Sequence, residues 1–323
     1  AWSGGMSAQA KEGHVGVLIC DTVSPLGNEL SLQHRSEWKP VPSDLLTLEL
    51  DPEAASSDPS YYGRGYSFQG DVLVENKSVV AVFQPGKGRV LIYLKADPKH
   101  QTLEFVPGGP GKAALKMTDC RILQNTGDEV ALDIVFSGAG AAGPLSAVFS
   151  FDRTEIVAIK PGENMKGMRL LSPMAYGIVP SFIGDDLIFD PRQYPLVNRL
   201  HIPAENLFLG LLEGQDSMLV LTCDQGKPQM RLVLDGDVQQ GRYVKSLDLD
   251  SDGSSIYLAL LHAPGIWHRE ALQPSYLEKD VRINWKRPFA AKWVTQLLEA
   301  EVPTTFSFRE SKGKIWRGVI GAY

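Results

Sequence analysis

Short apolar stretches separated by turn-forming residues dominate the chain. In the segment EVALDIVFS, large apolar side chains occupy every second position, at Val130, Leu132, Ile134 and Phe136. A period of two places all four side chains on one face of a strand, which is the pattern of a strand buried on one side. The segment HVGVLICDTV (14–23) is apolar almost throughout and is typical of a buried strand. Both segments therefore predict strands, and similar runs recur along most of the chain.

Residues that favour turns punctuate these strands at short intervals. PGKG (85–88), NTGDE (125–129) and FDRTE (151–155) each separate two apolar runs. The pattern gives about fifteen short strands and almost no amphipathic helix, which favours an all-β fold. This number of strands is larger than that of an immunoglobulin domain and suits a large antiparallel two-sheet sandwich. The sequence shows no repeat of about 40–50 residues, which disfavours a β-propeller.

Two segments near the C-terminus predict particular elements. FAAKWVTQLLEA (289–300) places Trp293 and Leu297 on one face at helical spacing, so we expect one short helix there. KSLDLDSDGSSIYLALLHAPG (245–265) predicts a hairpin that turns at residues 251–253. The expected fold is thus an all-β, large antiparallel two-sheet sandwich with one short helix.

A longer connecting region covers residues 174–206. It contains four prolines and an acidic group formed by Asp185, Asp186 and Asp190. Long ordered loops of this kind are often functional. Paired carboxylates can act as acid and base or hold a hard cation. We prefer the simpler interpretation, in which these aspartates cap N–H groups of the loop backbone.

The turn-rich character of residues 24–69 divides the chain in two. We interpret residues 1–69 as a lead-in strand followed by an irregular segment, and residues 70–323 as one large β-sandwich domain. The sequence starts without Met, as after removal of a signal peptide, and ends at GKIWRGVIGAY within a predicted strand. We therefore expect a chain cut from a longer polypeptide that is secreted or displayed at the cell surface.

Composition and charge narrow the function classes. Of the 323 residues, 43% are hydrophobic and 22% are charged, which is ordinary for a globular protein. The net charge of −6 argues against general nucleic-acid binding, and no apolar run is long enough for a membrane-spanning helix. Cys20, Cys120 and Cys223 lie far apart and match no metal-binding spacing. We expect each to be a buried structural thiol.

Several segments carry a resemblance to known proteins. They are ENKSVVAVFQPGKGRVLIYLKAD (75–97), IVPSFIGDDLIFDP (178–191), PAEN (203–206) and WKRPFAAKW (285–293). With the succession of strands, they resemble the large supersandwich β-domains of galactose mutarotase-like proteins and uncharacterised, secreted, carbohydrate-associated bacterial proteins. The resemblance spans roughly residues 70–300. It implies a supersandwich-like fold and an association with carbohydrate.

The segment from residue 262 to residue 293 concentrates residue types that bind sugars. It contains three of the six tryptophans and a group of cationic side chains. Aromatic rings stack on sugar faces and guanidinium groups bind anions. We therefore assign substrate binding to Trp267, Trp285, Arg287 and Tyr276. The alternative is an irregular segment that packs across a sheet, with its tryptophans in the core and its arginines at the rim.

For catalysis the candidates are His262, His268, Arg269 and Glu205. A polysaccharide lyase needs a base for the proton beside a uronate carboxylate and a cation that neutralises the carboxylate, which His268 and Arg269 can supply. Glu205 precedes an apolar strand and is an alternative acid or base. The plainer interpretation of each histidine is a half-buried side chain with a satisfied hydrogen bond. Whether the protein is an enzyme stays open, with a lyase or a glycoside hydrolase as the class to expect.

A calcium loop is the one metal motif that the sequence suggests. Asp248, Asp250 and Asp252, followed by Gly253, match the opening of an EF-hand loop. The twelfth position of such a loop is Glu, whereas this chain has Ala259. We therefore prefer a plain hairpin, expect no cofactor and keep Ca²⁺ as the alternative.

Two functions from different classes follow. The first is an extracellular β-sandwich domain that binds or processes a polysaccharide or oligosaccharide. The second is a structural or self-assembling module of a cell surface or filament, without an active site. A homo-oligomer or further domains of the same polypeptide fit either. The first needs an open site with convergent polar groups, and the second buries its aromatic residues in the core or in a subunit interface.

Overall fold

The computed structural model describes residues 16–27, 30, 32–43, 65–96, 103–108, 115–138, 143–180, 186–223, 228–237, 241–269, 274–276, 294–299 and 302–307. These residues form twenty strands and a few short 3-10 turns, and no α-helix occurs among them. In chain order the strands are β1 (Leu18–Asp21), β2 (Lys39–Pro40), β3 (Val72–Glu75), β4 (Val79–Gln84), β5 (Arg89–Leu94), β6 (Leu103–Pro107), β7 (Lys116–Asn125), β8 (Val130–Ser137), β9 (Leu145–Phe151), β10 (Ile156–Pro161), β11 (Gly167–Val179), β12 (Leu187–Phe189), β13 (Arg199–Ile202), β14 (Leu207–Leu212), β15 (Ser217–Cys223), β16 (Met230–Asp235), β17 (Tyr243–Asp250), β18 (Ile256–His262), β19 (Val294–Glu299) and β20 (Val302–Ser307). The predicted all-β class is confirmed.

The strands pair antiparallel in two layers. Sheet 1 has the order β2-β1-β3-β4-β5-β6-β11-β17-β16-β13. Sheet 2 has the order β7-β8-β9-β10-β18-β15-β14-β11-β12. The remaining strands, β19 and β20, pair with each other. The two layers form the expected antiparallel sandwich.

Strand β11 belongs to both sheets. Its first half, Met168–Leu171, lies between β6 and β17 in sheet 1. Its second half pairs with β14 and β12 in sheet 2. The register shifts between Leu171 and Met174 and again between Met174 and Tyr176. Such bulges bend a strand and increase its twist, which allows one strand to pass from one layer to the other.

Aromatic side chains close the core between the sheets. Phe83 and Phe105 of sheet 1 are fully buried, and each meets Phe149 of sheet 2 edge to face. The ring centroids lie 5.2 Å and 5.1 Å apart, within the range that favours such pairs. The core therefore depends on side chains from strands far apart in the sequence.

Strands β3, β4 and β5 are buried on both faces. Their second face carries Leu73, Leu91 and Tyr93, which form a smaller cluster with Leu30 and Trp38. A strand with two covered faces loses the polar alternation of a half-exposed strand, which explains why these stretches are apolar throughout. The segment before β3 thus covers one face of sheet 1, and its strand β1 is itself part of sheet 1. The division of the chain at residue 70 stays a prediction.

The predicted short helix at residues 289–300 is wrong. Residues 294–299 form β19, which pairs with β20 so that Val294 lies opposite Ser307 and Leu298 opposite Pro303. The β-branched pair Val294 and Thr295 disfavours a helix, and the strand that follows supplies a partner. Residues 289–293 lie outside the described residues.

The predicted hairpin at residues 245–265 is also wrong. β17 pairs with β11 and β16, whereas β18 pairs with β10 and β15. The turn after β17 therefore carries the chain from sheet 1 to sheet 2. Leu247 and Leu249 reach the core from one layer and Ile256 and Leu258 from the other. Both strands show the same alternation, because alternation reports the buried face and not the pairing partner.

The cysteines are free thiols on strands. Cys20 and Cys223 are buried and Cys120 is half-buried. Burial raises the pKa of Cys20 to about 12 and that of Cys223 to about 11. Burial raises the pKa of Cys120 as well. All three thiols stay protonated at neutral pH, which suits structural side chains.

No helix in the described ranges is long and apolar enough to cross a membrane.

A buried carboxylate pins the segment before β3 to β1. Asp21 is 1% exposed, and it accepts hydrogen bonds from the backbone N–H groups of Val23, Gln69 and Gly70 at 2.8–2.9 Å. The Tyr66 hydroxyl adds a fourth at 3.2 Å. Burial alone would raise the pKa of Asp21, but these donors outweigh it and hold the pKa below its usual range.

A second buried carboxylate, that of Asp71, behaves in the opposite way. Its Oδ2 accepts from the backbone N–H of Leu26 at 2.9 Å and from the Gln84 amide at 3.2 Å. Burial raises its pKa, and the two hydrogen bonds offset this only in part. The two aspartates thus form a matched pair with opposite pKa shifts.

We expect Asp21→Asn to lower the free energy of unfolding at pH 7 by about 2 kcal/mol, because an amide NH₂ would face N–H donors. The lowered pKa of Asp21 gives stability that is present above pH ~4 and is lost as the pH falls through the folded-state pKa. Asp71→Asn should be neutral or stabilising at pH 7, because one amide oxygen can accept both bonds and the cost of the buried charge disappears. Urea unfolding at pH 7 and pH 3 measures both. An equal loss in the two variants at pH 7 would contradict this account.

Candidate functional site

A third apolar cluster lies on the outer face of sheet 2. Ile178, Leu209 and Met218 project from β11, β14 and β15. Ile266 and Trp267, which follow β18, pack against them. The segment that the sequence singled out therefore begins by crossing the outside of a sheet.

The turn between β14 and β15 holds this segment in place. Its Asp216 accepts the N–H of Ala263 through the backbone carbonyl at 3.0 Å and the N–H of Gly265 through Oδ1 at 2.8 Å. The N–H of Trp267 reaches the carbonyl of Gln215 at 3.4 Å. The turn and the segment thus form one unit.

Trp267 is an anchor of that unit. Its side chain is 9% exposed, and its indole Nε1 donates to the carbonyl of Leu212 at 3.0 Å. Its ring meets Tyr176 edge to face, with centroids 5.8 Å apart. Trp267 therefore packs across the sheet, as the alternative interpretation of this segment predicts. The ring beside it, Tyr176, is half-buried and lies at the surface.

Two guanidinium groups flank Tyr176. Those of Arg192 and Arg269 each lie 5.7 Å from the ring centroid, within cation–π range. Arg192 Nη2 also donates to the Tyr176 hydroxyl at 2.9 Å, and Nε donates to Asp190 at 2.8 Å. The ring is thus held between a paired arginine and Arg269.

Asp190 explains part of the acidic group in the connecting region. It accepts the backbone N–H of Arg192 at 3.0 Å and so caps the 3-10 turn Pro191–Gln193. Burial would raise its pKa, but the bonds from Arg192 outweigh burial and lower it. Its role is that of a loop cap, as the simpler interpretation predicts.

These elements surround an open depression of about 420 Å³. The lining residues are Ala175, Tyr176, Glu213, Gly214, Gln215, Trp267 and Arg269. Within the described part of the chain, neither Glu213 nor Arg269 forms an ion pair, with each other or with another residue. The depression therefore offers one cation, one carboxylate and one amide beside an aromatic ring.

The backbone at the rim is strained. Gln215 has a φ of 62°, and Gly214 before it has a φ of 85°. The left-handed region costs a residue with a side chain roughly 1–2 kcal/mol, whereas Gly adopts it freely. Among the described residues, Val23 is the other non-glycine with a positive φ. The favoured two-residue hairpin turn requires a positive φ at both central residues, so the strain at Gln215 follows from the turn that joins β14 to β15.

His262 and His268 lie near this unit. Ser217 is the pairing partner of His262, and Ser217 Oγ lies 2.9 Å from His262 Nδ1. The contact follows from the strand register. Both histidines are exposed. His262 has the hydrogen bond of the plainer interpretation but is exposed and not half-buried.

The structure does not bring Glu205 to the histidines. Leu207, two residues after Glu205, lies opposite Thr222, whereas His262 lies opposite Ser217. Five residue steps along β15 separate these positions, which is roughly 17 Å. The catalytic roles assigned to the four residues stay predictions, and the strand register separates Glu205 from His262.

The other predicted binding residues are described only in part. Trp285 and Arg287 lie outside the described residues. Tyr276 ends the 3-10 turn Pro274–Tyr276. Arg269 is thus the one predicted site residue that lines the depression with an exposed, unpaired charge in the described ranges.

The aspartates of the calcium motif have protein partners. Asp248 is 1% exposed and binds Arg169 at 2.7 Å and Arg199 at 3.1 Å. Asp250 pairs with Arg231, and Asp252 accepts the N–H of Ser254 at 2.8 Å. Across the ranges that the structure covers, no three His, Cys, Asp or Glu side chains cluster as metal ligands would.

Sequence reasoning missed Tyr176, Glu213 and Gln215. Glu213 and Gln215 lie in EGQD, a two-residue hairpin turn whose glycine was a readable signal. Tyr176 carries no such signal, because the bulge before it decides which way it faces.

No family model matches the sequence, and no curated protein matches it. Among solved structures, 59% of the chain aligns with an α-galactosidase from Lactobacillus brevis at 9% identity and a TM-score of 0.35. It also aligns with the galactosidase domain of the α-galactosidase-sucrose kinase AgaSK at 7% identity and a TM-score of 0.36, and with the protein HI1317 at 9% and 0.31. The alignment covers 39%, 40% and 95% of those chains. The alignment thus spans about two fifths of each galactosidase.

The strain at Gln215 gives a stability prediction. Gln215→Gly should change the free energy of unfolding by between 0 and about +1 kcal/mol, because relief of left-handed strain exceeds the added entropy of the unfolded chain. Val23→Gly, at the other strained position, is the matched control and should behave alike. Gly214→Ala should lose about 1 kcal/mol, because its Cβ would meet open space and only the backbone conformation opposes it. Thermal unfolding measures all three. A loss above 1 kcal/mol in Gln215→Gly would show that its side chain holds the turn together.

Proposed function

We propose that this protein is an extracellular, carbohydrate-associated β-sandwich domain that binds a polysaccharide or oligosaccharide at the depression beside Tyr176. The observation that carries the proposal is one open depression that combines an aromatic ring, a glutamine amide, and an arginine and a carboxylate without an ion-pair partner among the described residues. Sugar rings need an apolar surface for their C–H face and charged or amide groups for their hydroxyls. The depression supplies both kinds of contact.

The rigidity of the site supports this proposal. Tyr176 is held by Trp267 and Arg192, and Trp267 is fixed by its bond to Leu212. Side chains that are ordered before binding lose less entropy when a ligand arrives. Weak hydrogen bonds to sugar hydroxyls benefit most from such preorganisation.

The proposal concerns binding and not catalysis. Processing a polysaccharide would require an acid and a base within reach of one bond. Leu207, two residues after Glu205, and His262 lie roughly 17 Å apart along the direction of β15. The extracellular location and the supersandwich relationship belong to the same proposal and rest on the resemblance of the sequence.

Tyr176→Ala tests the proposal. We expect it to weaken binding to a polysaccharide at least about tenfold, which corresponds to about 1.4 kcal/mol for a lost aromatic contact and the arginines it positions. Tyr257→Ala is the matched control, because Tyr257 is also half-buried and pairs with Thr222 near the far end of β15. Affinity electrophoresis in gels that contain polysaccharides measures both variants. Equal retardation of the two variants and the unchanged protein would argue against this site.

Self-assembly is the second candidate, and exposed apolar residues favour it. The stretch of chain between β11 and β13, residues 180–198, is called the excursion. It carries four large exposed hydrophobic residues, Leu187, Ile188, Leu196 and Val197, and Leu196 is 94% exposed. Exposed apolar residues grouped together mark interaction surfaces more often than isolated ones do.

Leu196→Asp distinguishes this second function. If the excursion is a self-association surface, the unchanged protein should sediment as an oligomer and Leu196→Asp as a monomer, because a buried charge without a partner opposes association. Leu123→Asp serves as the control, since Leu123 is an exposed leucine on β7. Sedimentation velocity over a range of concentrations measures this. A monomer at every concentration would dismiss self-assembly through this surface.

A further inference from the structure

The charges at the depression point to a particular class of sugar. Arg192 and Asp190 neutralise each other beside Tyr176. Arg269 and Glu213 then remain, one cation and one carboxylate, both exposed and neither paired within the described residues. The lining thus carries one positive and one negative charge, and it offers both hydrogen-bond donors and hydrogen-bond acceptors.

We propose that the depression selects neutral sugar units with adjacent hydroxyl groups and discriminates against uronate or sulfated sugars. This inference rests on the proposed function and names its substrate class. The guanidinium of Arg269 donates along a planar fork, which matches two neighbouring hydroxyl oxygens. The carboxylate of Glu213 accepts from two neighbouring hydroxyl protons, and the Gln215 amide can do both.

An anionic sugar fits this lining less well. A uronate carboxylate at Arg269 would also approach Glu213, and the repulsion would offset the attraction of the arginine. The sequence alone suggested the opposite, with Arg269 as a clamp for a uronate. Glu213 changes that expectation, because it lines the same depression. When a ligand binds, Arg269 and Glu213 both lose water, and a uronate would give a new hydrogen-bond partner to Arg269 alone. A diol that bonds to both side chains is therefore the better ligand.

Binding measurements on charged and neutral polysaccharides test the inference. The probes are galactomannan, xyloglucan and a mixed-linkage glucan on one side, and polygalacturonate, alginate and chondroitin sulfate on the other. We expect retardation by at least one neutral polymer, with less than about a twofold change between low and moderate salt, because no net charge is neutralised. Glu213→Gln and Arg269→Gln should each weaken that binding about tenfold. Glu163→Gln, at an exposed glutamate before β11, should leave it unchanged.

The outcomes separate the inference from the function beneath it. Preference for an anionic polymer, strengthened by Glu213→Gln and lost on adding salt, would overturn the neutral-sugar inference and leave carbohydrate binding standing. Absence of binding to every polymer would overturn the proposed function itself. Neutral binding that survives both Glu213→Gln and Arg269→Gln would place the sugar elsewhere and overturn the inference. Thermal unfolding of each variant confirms that these exposed positions leave the fold intact.

Discussion

The bend of β11 is the constraint on which the sandwich depends. One strand pairs with β6 and β17 in sheet 1, and then with β14 and β12 in sheet 2. Two register shifts around Met174 make the passage, since each extra residue turns the strand and frees it from its previous neighbours. The two sheets are thereby joined by hydrogen bonds as well as by side-chain packing. A straight β11 would have to remain in one layer, so that either sheet 1 would lose the strand between β6 and β17 or sheet 2 would lose the strand between β14 and β12.

The charges on the outside of sheet 1 show how the same fold tolerates a buried carboxylate. Asp248 lies between Arg169 on β11 and Arg199 on β13, and both arginines bind it. Removing one partner of a buried ion leaves a charge that neither water nor protein satisfies. Asp248 therefore serves to hold β17 beside its neighbours. The sequence pattern of alternating aspartates, which resembles a calcium loop, is produced here by the outward face of a strand.

The sequence predicted the faces of the strands better than their neighbours. In β8, Val130, Leu132, Ile134 and Phe136 are almost fully buried, as their period of two requires. The same pattern in β17 and β18 did not reveal that these strands lie in different sheets, because pairing is decided by distant segments. The sequence predicted two residues that line the candidate site, Trp267 and Arg269. The turn with Glu213 is remote in sequence, and it reaches Arg269 only because β14 and β15 fold beside β18.

The direction of Tyr176 connects the architecture to the site. Met168, Leu170 and Met174 face the core, and continued alternation would send Tyr176 there as well. The register shift after Met174 reverses the alternation, so Tyr176 and Ile178 face outward and join the cluster under Trp267. The bulge that carries β11 into sheet 2 therefore also supplies the aromatic ring of the depression. A feature required by the fold and a feature proposed for binding have the same physical origin, so a change that removed the bulge would disturb both the sandwich and the site.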